Sequence, residues 1–147
     1  MEKVPQAGYE IKGLDIAGFN RTHWWKNISL PVKLFKSFWQ VRSIFLSFKP
    51  DAAFGVGGYS SYPVLKYAQV NRIPTFLHES NAFAGKSNIM LGKKAKQVFV
   101  ATTGIQQFFP SEKIMVTGNP VRKEIAKNAW NSNVAKAAYG LDAAKPV

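Results

Sequence analysis

With 147 residues, 46% of them hydrophobic, the chain is one domain or a piece of a larger protein, and it buries a real core. It has no cysteine, and its two histidines, His23 and His78, form no HExxH, which excludes a disulfide scaffold, a thiol nucleophile and the usual zinc sites. Twenty Lys and Arg against eight Asp and Glu leave a net charge of +12, so the expected partner is anionic: nucleic acid, a membrane surface or a phosphorylated ligand.

In chain order, Met1–Gln6 reads as the tail of a helix whose preceding strand lies outside the chain, so a fragment is expected. The N-terminus lacks the apolar stretch of a signal peptide, and the composition reads as cytosolic. Tyr9–Ile16 has the look of a strand. Ser29–Phe48 has helical spacing, with Pro31 tolerated in its first turn, and Lys49-Pro50 ends it. Ala52–Val56 is a short apolar strand broken by Gly57-Gly58. Ser60–Val70 follows as a helix and Pro74–Leu77 as a buried strand. Then come a helix over Lys86–Lys93, a strand over Gln97–Ala101 and a short helix over Thr103–Phe109. Lys113–Val116 is the last strand and Val121–Asn128 a helix. The longest run without charge, Gln97–Ser111, has 15 residues and is interrupted by Gly104 and Pro110, whereas a bilayer-spanning helix needs about 20.

Short strands alternating with helices predict an α/β fold: a Rossmann-like parallel sheet with helices on both faces. Residues 1–128 are expected to form part of one such domain. Residues 129–147 read as a final helix or a crossover towards a further domain.

In such sheets ligands bind at the carboxyl ends of the strands, and three polar loops fall there. Gly55–Ser61 joins a strand to a helix; its glycines permit close backbone approach, and the helix start suits a phosphate. It is neither GxGxxG nor a Walker loop, and it also fits a plain tight turn with a serine cap. His78-Glu79-Ser80-Asn81 leaves a buried strand with groups suited to a sugar's hydroxyls. His78 and Glu79 could act as acid or base, or the run could simply cap the next helix. Thr117–Arg122 carries Asn119-Pro120, a helix start. Arg122 in that first turn opposes the helix dipole and suits an anion, unless it merely faces solvent.

Between Arg21 and Lys49 lie six basic residues and no acidic one, interleaved with aromatics that include Trp24, Trp25, Phe35, Phe38 and Trp39. An apolar helical stripe with basic edges, here Lys33, Lys36 and Arg42, is the composition of an interfacial membrane helix. The same stripe could instead face the core.

The run GVGGYSSYP, the run PTFLHESNAFAGKSN and TGNPVR, in this order and spacing, resemble the N-terminal domain of MurG-type glycosyltransferases (glycosyltransferase family 28) over nearly the whole chain. The resemblance implies half of a GT-B fold. It also implies an enzyme: a UDP-N-acetylglucosamine-dependent hexosyltransferase of peptidoglycan synthesis, acting without a metal or other cofactor. Such an enzyme moves N-acetylglucosamine, with inversion, to the C4 hydroxyl of lipid I and yields lipid II. The implied partners are UDP-N-acetylglucosamine, undecaprenyl-linked lipid I and an anionic membrane surface, with no nucleic acid. The implied location is peripheral, on the cytoplasmic face of the bacterial membrane.

Carried over by position, Gly57, Gly58, Tyr59 and Ser60 hold the acceptor diphosphate. Asn81 and Arg122 bind the donor, Asn88 lines the cleft, and His78 and Glu79 are candidate catalytic groups. Phe35, Phe38, Trp39 and Lys36 meet the membrane. The family's first glycine-rich loop, GGTGGH, and its C-terminal domain are not in this sequence, so the chain alone is expected to be inactive. Two rival readings are another GT-B glycolipid glycosyltransferase and a non-catalytic basic nucleic-acid-binding module.

Overall fold

The computed structural model describes residues 3–16, 22, 25, 28–121, 132–142 and 145. Its helices are α1 (Lys3–Gln6), α2 (Leu30–Phe48), α3 (Ser61–Val70), α4 (Lys86–Gly92) and α5 (Ser132–Ala138). Strands β1 (Ala53–Gly55), β2 (Thr75–Glu79), β3 (Gln97–Val100) and β4 (Ile114–Val116) form one parallel sheet in the order β1-β2-β3-β4. Leu77 pairs with Gly55 on one side and Val98 on the other, and Glu79 lies opposite Val100. The α/β architecture expected from the alternation is present. From Leu30 to Val116 each strand and α-helix ends within two residues of its sequence expectation.

Local chemistry sets those ends. Pro31 sits in the first turn of α2, where its missing N–H costs nothing. Lys49 stops the helix in the left-handed region (φ 51°), its N–H reaching Phe45 O just before Pro50. Helices α3 and α4 pack on the sheet face that carries Leu77, Val98 and Val100, and together with Leu65, Leu91, Ile105 and Phe109 these form the core. Gly55 and Gly92 allow the close contacts, for a Cβ at Gly55 would run into Leu65 and one at Gly92 into Phe109. Helix α2 stacks on α3 as an outer layer, with Phe45 edge-on to Tyr67 at 5.1 Å between centroids.

The opposite sheet face carries Phe54, Phe76 and Phe99, stacked at 5.8 and 6.4 Å, and Phe54 is exposed. The packing of helix on strand that the described residues show therefore lies on one face.

Two sequence expectations differ from the structure. Tyr9–Ile16 is not a strand: Tyr9 and Ile11 are exposed, and among the described residues no strand lies beside the segment to take its ladder bonds. Side chains of α2 hold it instead, Lys36 Nζ donating to Asp15 Oδ2 at 2.7 Å and Asp15 N to Gln40 Oε1 at 2.9 Å. Thr103–Phe109 forms only a 3₁₀ turn over Gln106–Phe108, because Phe109 precedes Pro110 and is extended. Ile105 and Phe109 are nevertheless buried. The helix expected at Val121–Asn128 lies outside the described residues beyond Val121, as do Trp24 and Arg122.

Candidate functional site

A parallel sheet delivers all its strand ends to one edge, so the three sequence motifs meet there with no long-range coincidence required. After β1 the chain turns through Gly57 (φ 90°) and Gly58 (φ 79°), conformations that favour glycine, and enters α3. Ser61 Oγ donates to Gly57 O at 2.7 Å and fixes the turn. Ser60, in the cap position of α3, makes no side-chain cap bond, so the serine-capped turn that the sequence also allowed is not what forms. Tyr59 and Ser60 are exposed beside the helix start. A small cavity of about 140 Å³ opens next to them, lined by Phe54, Gly55, Ser60, Ser61, Val64 and Leu65.

At the end of β2 the last two side chains point to opposite faces, as strand geometry requires. Both are buried. His78 Nε2 lies 3.0 Å from Gly118 O, across the end of β3. A carbonyl only accepts, so Nε2 carries the proton and Nδ1, 3.3 Å from Ser80 Oγ, accepts from that hydroxyl. Asn119 Nδ2 donates to Ser80 O at 3.4 Å, a second tie between the same loops.

Glu79 turns to the helical side and meets four donors. Its Oε1 accepts from Asn81 N at 3.0 Å and Asn81 Nδ2 at 2.9 Å; its Oε2 accepts from Gly85 N at 3.3 Å and Asn88 Nδ2 at 2.7 Å. Asn88 is buried on the first turns of α4, and its side chain lies beneath Gly57: a Cβ there would be 3.1 Å from Asn88 Nδ2. Its Oδ1 is buried and meets no donor among the described residues. Asn81 itself is exposed, with its side-chain amide nitrogen held by Glu79 Oε1.

The residues singled out in the sequence thus fall into two places. Gly57, Gly58, Tyr59, Ser60, His78, Glu79, Asn81 and Asn88 gather at the carboxyl edge, and Val121, at the limit of the described chain there, leads towards Arg122. His78 and Glu79 both have full sets of protein partners, which suits holding the loops more than moving a proton. Gly118 (φ 75°) and Ser61, inside loops already read from the sequence, join the site through bonds that only the structure shows. The larger cavity, about 410 Å³ among Gln69, Arg72, Lys94 and Lys96, lies at the amino edge, away from these loops.

The second place is α2. Its exposed large apolar residues Val32, Phe35, Trp39 and Leu46, preceded by Ile28, fall at spacings of 4, 3, 4 and 7 that keep one face, and only Phe48, at the helix end, is exposed off it. Arg42 fills the gap in this stripe, its guanidinium 5.9 Å from the Trp39 ring centroid. Phe35 and Trp39 meet edge-on at 6.4 Å. Phe38 is half-buried, on the side of Ser37 and Val41. Lys36 is paired with Asp15. Hence Phe35 and Trp39 lie on the free face and Phe38 mostly does not. Ile28, Val32 and Leu46, which the sequence reading passed over, complete it. A period of seven links Val32 with Trp39 and Leu46, and Ile28 with Phe35.

A parallel α/β sheet with a glycine turn, a polar loop and an Asn-Pro loop sharing its carboxyl edge has the form of a ligand-binding α/β domain. Residues 1–100 match the glycosyltransferase family 28 N-terminal domain, and the chain belongs to that family. It is 48% identical over 141 residues to the UDP-N-acetylglucosamine--N-acetylmuramyl-(pentapeptide) pyrophosphoryl-undecaprenol N-acetylglucosamine transferase of Bacteroides thetaiotaomicron, covering 96% of this chain and 38% of that protein. The protein of the same name from Bacteroides fragilis is 44% identical over 145 residues, covering 99% and 38%. The crystal structure of Acinetobacter baumannii MurG superposes with a TM-score of 0.65 at 28% identity, over 88% of this chain and 37% of that one. The chain therefore spans about two-fifths of the length of these relatives.

Proposed function

We propose that this chain is the acceptor side of a transferase that moves N-acetylglucosamine from UDP-N-acetylglucosamine to the C4 hydroxyl of lipid I, with inversion, giving lipid II. The observation that carries the reading is the convergence of the three motif loops, the second hydrogen-bonded to the third and its Asn88 packed beneath the glycine turn, in a chain 48% identical to a transferase of that name. The Gly57–Ser60 turn and the open start of α3 receive the acceptor diphosphate, since backbone N–H groups and a helix dipole favour an anion there. Asn81, with Arg122 beyond the described residues, contacts the donor sugar nucleotide. His78 and Glu79 hold these loops in place.

The α2 stripe meets the cytoplasmic face of the bacterial membrane as a peripheral contact. Lys33 and Arg42 face anionic headgroups, each worth about 1 kcal/mol near such a surface. No helix among the described residues is long and apolar enough to cross a membrane. Uridine recognition and the base reside outside this chain, so the chain alone binds and does not turn over.

The test is a chimera in which this chain replaces the matching residues of the Bacteroides thetaiotaomicron protein. Transfer from radiolabelled UDP-N-acetylglucosamine to lipid I should be retained, and the chain alone should show none. A folded chimera that transfers to diacylglycerol and not to lipid I would overturn the acceptor assignment.

A further inference from the structure

We infer that Glu79 is the positioning residue that couples the two sides of the cleft, holding the donor-side Asn81 with one carboxylate oxygen and, with the other, the Asn88 side chain on which the acceptor-side turn rests. The proposal rests on the reading above, in which Asn81 serves the donor and the Gly57 turn the acceptor. Oε1 takes both nitrogens of Asn81, backbone and side chain, and so sets that side chain's direction. Oε2 takes Gly85 N and Asn88 Nδ2, and the Asn88 side chain underlies Gly57.

A carboxylate has about four acceptor positions, and here four donors meet them, one on each oxygen being a backbone N–H with no acceptor to offer in return. Asn88 cannot turn its amide over without setting its carbonyl oxygen against Oε2. That explains why Oδ1 stays buried and unpaired beneath the turn. Asn81 and Asn88 are thus oriented together, through one side chain that is 2% exposed and out of reach of a substrate.

Glu79→Gln tests this, because the amide keeps the size and supplies one oxygen where two were needed. Its nitrogen faces the donors of one loop or the other, so each loop is released for part of the time. In the chimera, KM for UDP-N-acetylglucosamine and KM for the lipid acceptor should rise together, by about three- to tenfold each, as expected for the loss of one hydrogen bond. The pH dependence of kcat should keep its acid limb. In an Asn81→Ala background, Glu79→Gln should no longer raise the donor KM and should still raise the acceptor KM. Glu79→Asp, which keeps the charge and cannot reach all four partners, should shift both KM values in the same sense and stands in if the glutamine variant melts early.

A rise in one KM only, or in neither, overturns the coupling. Loss of the acid limb with both KM values unchanged overturns it as well and makes Glu79 the base. An unsubstituted chimera without transferase activity would overturn the proposed function instead, so the two failures are distinguishable.

Discussion

Glu79 and His78 show how much a neighbour in sequence can differ in space. Both were legible as polar groups at the end of a buried strand, and HESN marked the loop as chemical. What the sequence could not display is that Glu79 is met by four donors, two of them from Gly85 and Asn88, six and nine residues on. That depends on the path of the turn into α4, which no local pattern encodes. Gly57 was legible as a turn residue, and the structure adds a reason for its lack of a side chain. With φ at 90° and Asn88 Nδ2 3.1 Å from a would-be Cβ, Gly57→Ala should cost about 1–3 kcal/mol. Urea denaturation of the two forms would measure this, and equal midpoints would refute it.

Asp15 gives a residue-scale prediction of another kind. The hydrogen bond and charge of Lys36 hold its carboxyl below the ordinary value of 3.8. A depressed folded value means that this contact favours the fold above the ordinary carboxylate range and is lost as pH falls through the lowered value. Because the pair is exposed, its effect on stability is small. An NMR titration should place Asp15 below its ordinary value, and Lys36→Ala should raise it.

At the scale of elements, the sheet was well read because its punctuation is strong: Pro50, Gly57-Gly58 and Pro74 mark strand and helix ends in ways that side-chain packing rarely overrides. Tyr9–Ile16 was misread because alternation alone does not make a strand; a partner does. Helix α2 was read as one apolar stripe, and it carries two. Leu34, Phe38, Val41 and Phe45 are turned towards the protein, whereas Val32, Phe35, Trp39 and Leu46 are turned away. The two faces predict different outcomes for similar substitutions. Phe35→Ser with Trp39→Ser should reduce sedimentation with anionic liposomes and leave the melting temperature nearly unchanged. Phe38→Ser should lower the melting temperature and affect liposome binding less. Equal binding in all three forms would remove the stripe from the membrane.

For the molecule as a whole, the core that the described residues form is an apolar layer between the sheet and α3 and α4. Leu77, fully buried at its centre, should cost about 2–5 kcal/mol on Leu77→Ala, read as a shift in the urea midpoint. The fold class and the edge that bears the site followed from alternation and from the position of the loops. The assignment of loops to substrates did not, because a glycine turn and an asparagine have the same local form whatever they bind.

The tip of β2 has a consequence for how this surface can vary. His78 belongs to a set with Ser80, Gly118 and Asn119, and Glu79 to a set with Asn81, Gly85 and Asn88; no hydrogen bond joins the two side chains. A library randomised at positions 78 and 79 together and selected for function should yield survivors whose second-site changes sort into two uncorrelated groups. Changes near 118–119 would accompany new residues at 78, and changes at 81 or 88 would accompany new residues at 79. Adjacent codons would then drift as independently as distant ones.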